Sequence, residues 1–275
     1  MSWLRITTTI PASSTAAPSS MPGPSGRGST PSSPPTSSAR EANICPVTNK
    51  PTEVGIMGAL GHVVAPVLRA FTDAHPGVEL VLREAHFADP FGPLRAGTVD
   101  IQLLWLPDRE PDITVGPTVL VEPVRLAVPE GSESVTRATI PIEDLGDHTL
   151  CDIGTGAPGY WADELIPPRT PAGRPIPRGP RVHTLREMLA AIAAGRAVAL
   201  AQEHCVRYYA RPGVVYVPMP DGPRCRWTFV WRADSETELI RAFAAVAGDF
   251  AASRTASRRG WRSYIASAGR RARPS

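Results

Sequence analysis

The hydrophobic positions of this chain switch repeatedly between the spacing of a strand and the spacing of a helix. Residues 53–57 predict a short strand, and residues 62–74 carry apolar side chains three and four positions apart, as one face of a helix requires. The sequence His75-Pro76-Gly77 ends this helix, because proline cannot continue it and glycine suits the cap. Residues 78–82 then alternate as a second strand, and the nearly all-apolar residues 99–104 predict an interior third strand.

A second series of the same signals fills the rest of the chain. Residues 184–194 predict its clearest helix, because Thr184 suits the N-cap and Glu187, three residues later, completes a capping box. Residues 226–231 predict a strand with three aromatic side chains on one face, which indicates core packing more than an aromatic binding platform. The other predicted elements are strands at 119–128, 149–153, 197–201 and 214–217, short helices at 89–96, 142–145 and 203–209, and a last helix at 237–250.

The alternation of strands and helices predicts an α/β fold with two lobes and mostly parallel sheets. The chain is expected to cross between the lobes twice, near residues 122–130 and 218–226. These crossings assign residues 52–122 and 226–250 to lobe one and residues 129–218 to lobe two. The cleft between the lobes is the expected ligand site, because ligands of α/β folds lie beyond the strand carboxyl ends and near helix N-termini.

Both ends of the chain depart from this pattern and are predicted to be disordered. Residues 1–51 are rich in serine, threonine and proline, and such a segment cannot bury enough apolar surface to offset its ordering entropy. The segment lacks the continuous apolar run of a secretory signal, and two interpretations stay open: a misplaced translation start or a genuine tail. Residues 251–275 hold seven arginines and no acid, which favours a solvated basic tail over one that binds DNA or a membrane.

Charge and cysteine content narrow the range of partners. The segment 52–250 carries 18 arginines against 25 acidic residues, so its field would repel a phosphate backbone, although the whole chain has a net charge of +3. No run of 18 apolar residues predicts a membrane span. The cysteines at positions 45, 151, 205 and 225 lack metal-ligand and Cys-x-x-Cys spacing. This pattern predicts free thiols in a reducing cytoplasm, with no metal and no other cofactor.

Five segments of the folded part carry a family resemblance. The most specific is Val64–Leu80, in which Leu68 and Phe71 precede a proline and a valine at a set distance. Leu94–Ile101 adds the pattern leucine, two residues, glycine, two residues, aspartate, hydrophobic residue. Together with Glu53–Gly58, Glu122–Pro129 and Leu189–Leu200, these segments resemble the effector-binding domain of LysR-type transcriptional regulators.

This resemblance implies a periplasmic-binding-protein-like (type II) α/β fold, with two α/β lobes, a cleft and two crossover segments. It implies a sensor of a small-molecule effector, either an organic acid or an aromatic metabolite. The family's winged helix-turn-helix has no counterpart in residues 1–51, which lack a helical hydrophobic period, so this chain alone is expected not to bind DNA. The resemblance also implies a homodimer, or a heterodimer with full-length relatives, through the surface of residues 62–84. The interface side chains expected there are Val64, Val67, Leu68, Phe71, Leu80 and Leu82.

Ligand contacts are expected at strand ends and helix starts that face the cleft. The turn at residues 58–61 offers backbone N–H groups, although an ordinary turn between a strand and a helix would look the same. Tyr160-Trp161 either forms a lid or packs within its loop, and Trp105 either walls the pocket or packs in the core. The family's Gly-x-Gly reads Gly195-Arg196-Ala197 here, which leaves the ligand's identity open. The predicted ligand-binding residues are Gly58, Ala59, Leu60, Trp105, Gly154, Thr155, His183, Thr184 and Gln202.

Two other functions share this architecture. A solute-binding protein of a transporter would need a secretion signal, and the unpaired cysteines argue against that location. An enzyme would need a catalytic constellation, and neither a Ser-His-Asp set nor a working pair of acids can be assembled from the predicted positions. The sequence therefore predicts no catalytic residue and favours the sensor domain of a regulator. Three interpretations stay open for a sensor domain without the DNA-binding domain of its family: a truncated gene product, a misannotated fragment, or a partner that titrates full-length relatives.

Overall fold

A long strand that belongs to both lobes organises the computed structural model, which describes residues 5–6 and 51–271, with side chains described for residues 51–254. The strands are β1 (Arg5–Ile6), β2 (Thr52–Met57), β3 (Leu80–Ala85), β4 (Ile101–Trp105), β5 (Ile113–Pro129), β6 (Leu150–Asp152), β7 (Arg178–Arg181), β8 (Ala199–Gln202), β9 (Val214–Pro218) and β10 (Arg224–Arg232). The α-helices are α1 (Leu60–Ala74), α2 (Gly92–Arg95), α3 (Gly159–Ala162), α4 (Leu185–Ala193), α5 (His204–Tyr208) and α6 (Glu238–Arg271), and short 3-10 helices lie at Glu133–Thr136, Ile142–Asp147 and Ala233–Ser235.

The 17-residue strand β5 is the first connection between the lobes. Its first part pairs with β10 antiparallel in lobe one, and its last part, from Val124 to Pro129, pairs with β8 and β9 antiparallel in lobe two. The segment between β9 and β10 is the second connection, because it returns the chain to the lobe-one sheet. The structure therefore has the two lobes and the two crossings that the strand and helix pattern predicted.

The lobe-one sheet is mixed, with the order β1-β3-β2-β4-β10-β5. Strands β2, β3 and β4 are parallel, and β10 runs antiparallel to β4. In lobe two, β6 pairs parallel with β7 and reaches β8 through a bridge between Leu150 and Val198. Because the parallel strands β2 and β4 end at Met57 and Trp105, their carboxyl ends open towards the space between the lobes.

The apolar stripe of α1 belongs to the core of lobe one. Val64, Val67, Leu68, Phe71 and Leu80 are each at most 1% exposed. Together with Leu82, which is partly buried, these five side chains were predicted to form a dimer interface, and within this chain they already pack in the core. The periodicity predicted correctly which face of α1 is apolar. That face packs against the sheet of its own lobe. The exposed side of α1 instead carries His62, Pro66, Arg69, Ala70 and Asp73.

The aromatic strand β10 lies at the centre of the lobe-one core. Trp227, Phe229 and Trp231 are each at most 4% exposed. Phe229 meets Phe243 of α6 edge-on at 4.8 Å between ring centroids, and Phe243 in turn meets Phe71 of α1 at 5.1 Å. The predicted core role of this face is confirmed, and α6 is fixed over the sheet by the same aromatic contacts.

The structure differs from the sequence prediction at the chain ends and in the proline-rich loop. The last helix was predicted to end at residue 250 and to be followed by a disordered tail, whereas α6 continues to Arg271. Arg5–Ile6 pairs parallel with β3, within the segment 1–51 that was predicted to be disordered. The rest of that prediction, residues 1–4 and 7–50, lies outside the described residues. The proline-rich residues 154–180 contain α3, which the sequence pattern did not predict.

Candidate functional site

A cavity of about 790 Å³ lies in the cleft and is lined by both lobes. Lobe one contributes the ends of β2 and β4 together with residues 84–87, at the end of β3 and just beyond it. Lobe two contributes the first turn of α4, the strand β8 and the segment around α5. Its volume falls in the range of pockets that enclose a small organic molecule.

Four of the nine predicted ligand-binding residues line this cavity. Gly58 and Trp105 approach it from lobe one, and Thr184 and Gln202 approach it from lobe two. All four stand where a strand ends or a helix begins, as the rule used to predict them requires. Among the four, Thr184 also caps α4, because its Oγ1 accepts the Glu187 N–H at 3.2 Å.

The other five predicted residues do not line the cavity. Leu60 is fully buried in the lobe-one core. The side chain of His183 is 63% exposed and lies 3.5 Å from Glu187. Gly154 and Thr155 belong to a loop that packs towards lobe one, where a Cβ added at the neighbouring Gly156 would stand 2.3 Å from the Ala88 carbonyl oxygen. These residues follow the expected elements, but the packing of the core and of the loops leaves them outside the cavity lining.

The turn after β2, including Ala59, is covered by a tyrosine of lobe two. Gly58 has a φ of 55°, and a Cβ added to it would lie 2.8 Å from the Tyr209 hydroxyl oxygen. The Ala59 backbone is a hydrogen-bond partner of the same tyrosine. Beside it, Tyr208 stacks on His62 of α1 at 5.4 Å between ring centroids. The turn that was expected to present its N–H groups to a ligand thus meets Tyr209 instead, and Tyr208 and Tyr209 close one side of the cleft.

Two tryptophans connect the lobes next to the cavity. Trp105 of β4 and Trp161 of α3 stack at 3.7 Å between ring centroids, and the Trp161 Nε1–H donates to the Trp105 carbonyl oxygen at 3.0 Å. The Tyr160 hydroxyl donates a hydrogen bond to the Glu110 carboxylate at 2.6 Å, and Glu110 also forms a salt bridge with Arg95. The Tyr160-Trp161 pair was interpreted as a lid or a packed loop, and the structure shows it packed between the lobes.

A buried pair of a glutamate and a histidine lies at the junction of the lobes, next to the cavity. The Glu122 carboxylate of β5 lies 2.8 Å from His204 Nδ1, and both side chains are 7% exposed. The same carboxylate accepts the His204 backbone N–H at 2.9 Å and the Trp227 Nε1–H at 2.7 Å. These hydrogen bonds compensate for the removal of the carboxyl group from water. The pair joins α5 of lobe two to the crossing strand.

The comparisons with known proteins agree with this two-lobed geometry. The family model described as the LysR substrate binding domain matches residues 53–252. The chain belongs to this family. A search of curated protein sequences found no match. In the LysR family this domain is the effector-binding part of a transcriptional regulator, so the transporter alternative is not favoured.

Solved structures of LysR-type regulators share the fold. Full-length CbnR in complex with its target DNA has a TM-score of 0.58 at 21% identity, covering 73% of this chain and 70% of that chain. The BenM effector binding domain with its effector benzoate has a TM-score of 0.57 at 18% identity, covering 75% of this chain and 94% of that chain. The reduced OxyR regulatory domain from Pseudomonas aeruginosa has a TM-score of 0.54 at 22% identity, covering 73% and 96%. These likenesses establish the type II periplasmic-binding-protein-like fold.

The cysteine thiols of this LysR-type domain are held in their protonated form. Cys151 lines the cavity, and burial raises the pKa of its thiol to about 11. Burial also raises the pKa of Cys205 to about 12, and that of Cys225 well above its usual value. In the part of the chain that the structure describes, no three histidine, cysteine or acidic residues cluster as metal ligands would. Among the described residues, no helix combines the length and hydrophobicity that a membrane crossing requires.

Several residues of the LysR-type cleft were missed by sequence reasoning. His204, Tyr208, Tyr209 and Trp227 line the cavity but were assigned to a short helix and a core strand. One signal was available, because Glu122 is an acid between the apolar residues Val121 and Pro123 of the crossing strand, and an acid that is buried there requires partners. The identity of those partners depends on packing between segments 82 and 105 residues apart.

Proposed function

We propose that this domain senses a small molecule bound in the cleft and transmits its presence as a change in the arrangement of the two lobes. The observation that carries the proposal is the cavity of about 790 Å³ lined from both lobes. A ligand in such a cavity contacts both lobes at once, so it binds one relative arrangement of them more tightly than another. Sensing of this kind needs binding and release but no chemical step, and it takes place in the cytoplasm, where transcription occurs.

The relatives support a regulatory use of that binding. CbnR has been solved with its target DNA and BenM with its effector benzoate. We infer that a change at the cleft of this chain acts on DNA binding through a partner or an adjoining domain, because the folded segment 52–250 is itself acidic.

A thermal-shift screen with a small-molecule library, followed by calorimetry on the hits, tests the effector site. The matched variants are Ala210→Trp at the cavity and Ala138→Trp on an exposed loop away from it. Because the indole at position 210 would occupy cavity space, a true effector should bind Ala210→Trp at least about ten-fold more weakly and Ala138→Trp normally. A library without any ligand sensitive to Ala210→Trp would contradict the proposal.

We also propose that the domain pairs with a second copy, or with a relative, through the surface of residues 62–84. The exposed side of α1 replaces the buried stripe in this proposal, since Pro66 and Ala70 present small apolar groups beside His62 and Arg69. Light scattering after size exclusion measures the oligomeric state. Ala70→Glu should shift a dimer towards the monomer while Ala138→Glu should not, and a dimer unaffected by Ala70→Glu would place the interface elsewhere.

A further inference from the structure

The deep part of the cavity is apolar. Leu150, Met188, Leu189 and Leu200 line it in lobe two, and none of them is more than 9% exposed. Burial of apolar surface contributes about 25 cal/mol per Å², whereas a charged group brought into the same surroundings loses its hydration without compensation. The part of a ligand that fills this region is therefore uncharged and largely hydrocarbon.

The buried polar side chains beside the cavity are already hydrogen-bonded within the protein. His204 is paired with Glu122, and the same carboxyl group accepts the Trp227 Nε1–H. The Gln202 side-chain oxygen faces the Cys205 thiol at 3.9 Å. These groups therefore have partners inside the protein, and the arginines among the lining residues, at positions 186 and 211, are both exposed to solvent.

The acidic and arginine side chains at the rim of the cavity are equal in number, and one of the acids, Glu187, would repel an anion. The acids are Glu84 and Glu187, and the arginines are Arg186 and Arg211. Glu187 lies in the first turn of α4, where its carboxylate accepts the His183 N–H at 2.8 Å. This backbone hydrogen bond lowers the pKa of Glu187, so the group is ionised at neutral pH. The first turn of a helix otherwise attracts an anion, and here a carboxylate of the protein already holds that place.

We propose that the cleft accepts an uncharged, largely apolar effector and that Glu187 is the residue that discriminates against anions. This inference rests on the proposed function and names the chemical class of its ligand. It separates this chain from BenM, whose named effector, benzoate, is an anion.

Three naphthalene probes of equal shape test the ligand class by calorimetry. They are 2-acetylnaphthalene, with a neutral acceptor, 2-ethylnaphthalene, with none, and 2-naphthoate, with a negative charge. The two neutral probes should bind, and 2-naphthoate should bind at least about ten-fold more weakly because its charge must leave water. Equal or tighter binding of 2-naphthoate would overturn the inference.

The variant Glu187→Gln tests the discriminating residue, with Glu79→Gln, an exposed carboxylate away from the cavity, as the matched control. Removing the negative charge from the first turn of α4 should tighten binding of 2-naphthoate about three-fold and leave 2-acetylnaphthalene unchanged. Equal gains for both probes, or the same gain in Glu79→Gln, would rule out a specific role for Glu187. Thermal unfolding of both variants shows whether the fold is intact.

The probes also separate this inference from the proposed function. If the library yields cleft ligands that are lost in Ala210→Trp but all of them are anions, the sensor function stands and the uncharged class is wrong. If the neutral naphthalenes fail to bind while other cleft ligands succeed, the class is likewise wrong. If no ligand depends on the cleft, the proposed function itself fails.

Discussion

At the residue scale, Glu122 connects most of the features that make this cleft. It is a buried carboxyl group in the crossing strand β5, and its partners come from α5 and from β10. Removal of this acceptor leaves the His204 backbone N–H and the Trp227 Nε1–H without partners in a region closed to water. The local stability of the lobe junction therefore depends on one side chain.

Glu122→Ala should lower the free energy of unfolding by about 3 kcal/mol, because it leaves the His204 and Trp227 donors without an acceptor. Urea denaturation followed by Trp fluorescence measures this free energy. Glu203→Ala is the control, since Glu203 pairs with Arg125 but keeps 38% side-chain exposure, and its loss should cost less than about 1 kcal/mol. Equal losses in the two variants would show that burial of the Glu122 pair is not what matters.

The cysteines yield a second prediction at this scale. In a Cys45→Ser variant, Cys151, Cys205 and Cys225 should react with a thiol reagent very slowly at pH 7 in the native state and fully in guanidinium chloride. Each is at most 5% exposed, and burial raises all three thiol pKa values, so little thiolate forms. Rapid native labelling of one thiol per chain would contradict the burial of that site.

At the element scale, α4 shows how a helix start was predicted closely but not completely. Thr184 accepts the Glu187 N–H, as the N-cap prediction required. The Glu187 side chain also bonds to the backbone at the helix start, but it accepts the N–H of His183, one residue before the N-cap. Both hydrogen bonds satisfy donors at the helix start and hold this turn at the edge of the cavity.

Thr184→Ala should destabilise the domain by about 1 kcal/mol, because the Glu187 N–H loses its acceptor. Thr184→Ser keeps a hydroxyl at the N-cap and should stay within a few tenths of a kcal/mol of the parent. Chemical denaturation compares the three proteins. A serine variant as unstable as the alanine variant would indicate that the methyl group, and not the cap, supplies the stability.

At the scale of the whole molecule, two stacked pairs of aromatic rings join the lobes. Trp105 stacks on Trp161, and His62 stacks on Tyr208. Beside the tryptophans, the carboxylate of Glu110 in lobe one accepts a hydrogen bond from the Tyr160 hydroxyl of lobe two. Access of a ligand to the cavity therefore depends on contacts that join the two lobes.

The Glu110 contact makes part of this stability dependent on pH. The hydrogen bond from Tyr160, followed by that from Arg95, lowers the pKa of Glu110 below its usual 4.5. A carboxyl group with a lowered pKa in the folded state stabilises the fold above pH 4.5, and this contribution is lost as the pH falls through the folded-state value. Urea unfolding at pH 6, 4.5 and 3 should therefore show that the parent protein loses its excess free energy of unfolding over Glu110→Gln as the pH falls. The difference in free energy of unfolding between the parent and Glu79→Gln should stay constant. An advantage that persists at pH 3 would contradict this assignment.

Apart from α3 and β7, the sequence by itself determined most of the strands and helices, the two crossings, the family and the faces that are apolar. These are local properties, because the spacing of apolar side chains reports the type of an element and which of its faces is buried. The cap at Thr184 and the core role of Trp227 and Phe229 were predicted for the same reason. Four of the residues that line the cavity were predicted from their positions at the ends of elements.

Only the tertiary structure decided which surface each apolar face covers and which residues meet across the cleft. The stripe of α1 covers its own sheet, Tyr209 covers the turn at Gly58, and Trp161 reaches Trp105 over a separation of 56 residues. Periodicity does not distinguish a face that packs inside the chain from one that meets a partner. Contacts between distant segments depend on how whole elements pack, and that packing also determined which rim charges face the proposed effector.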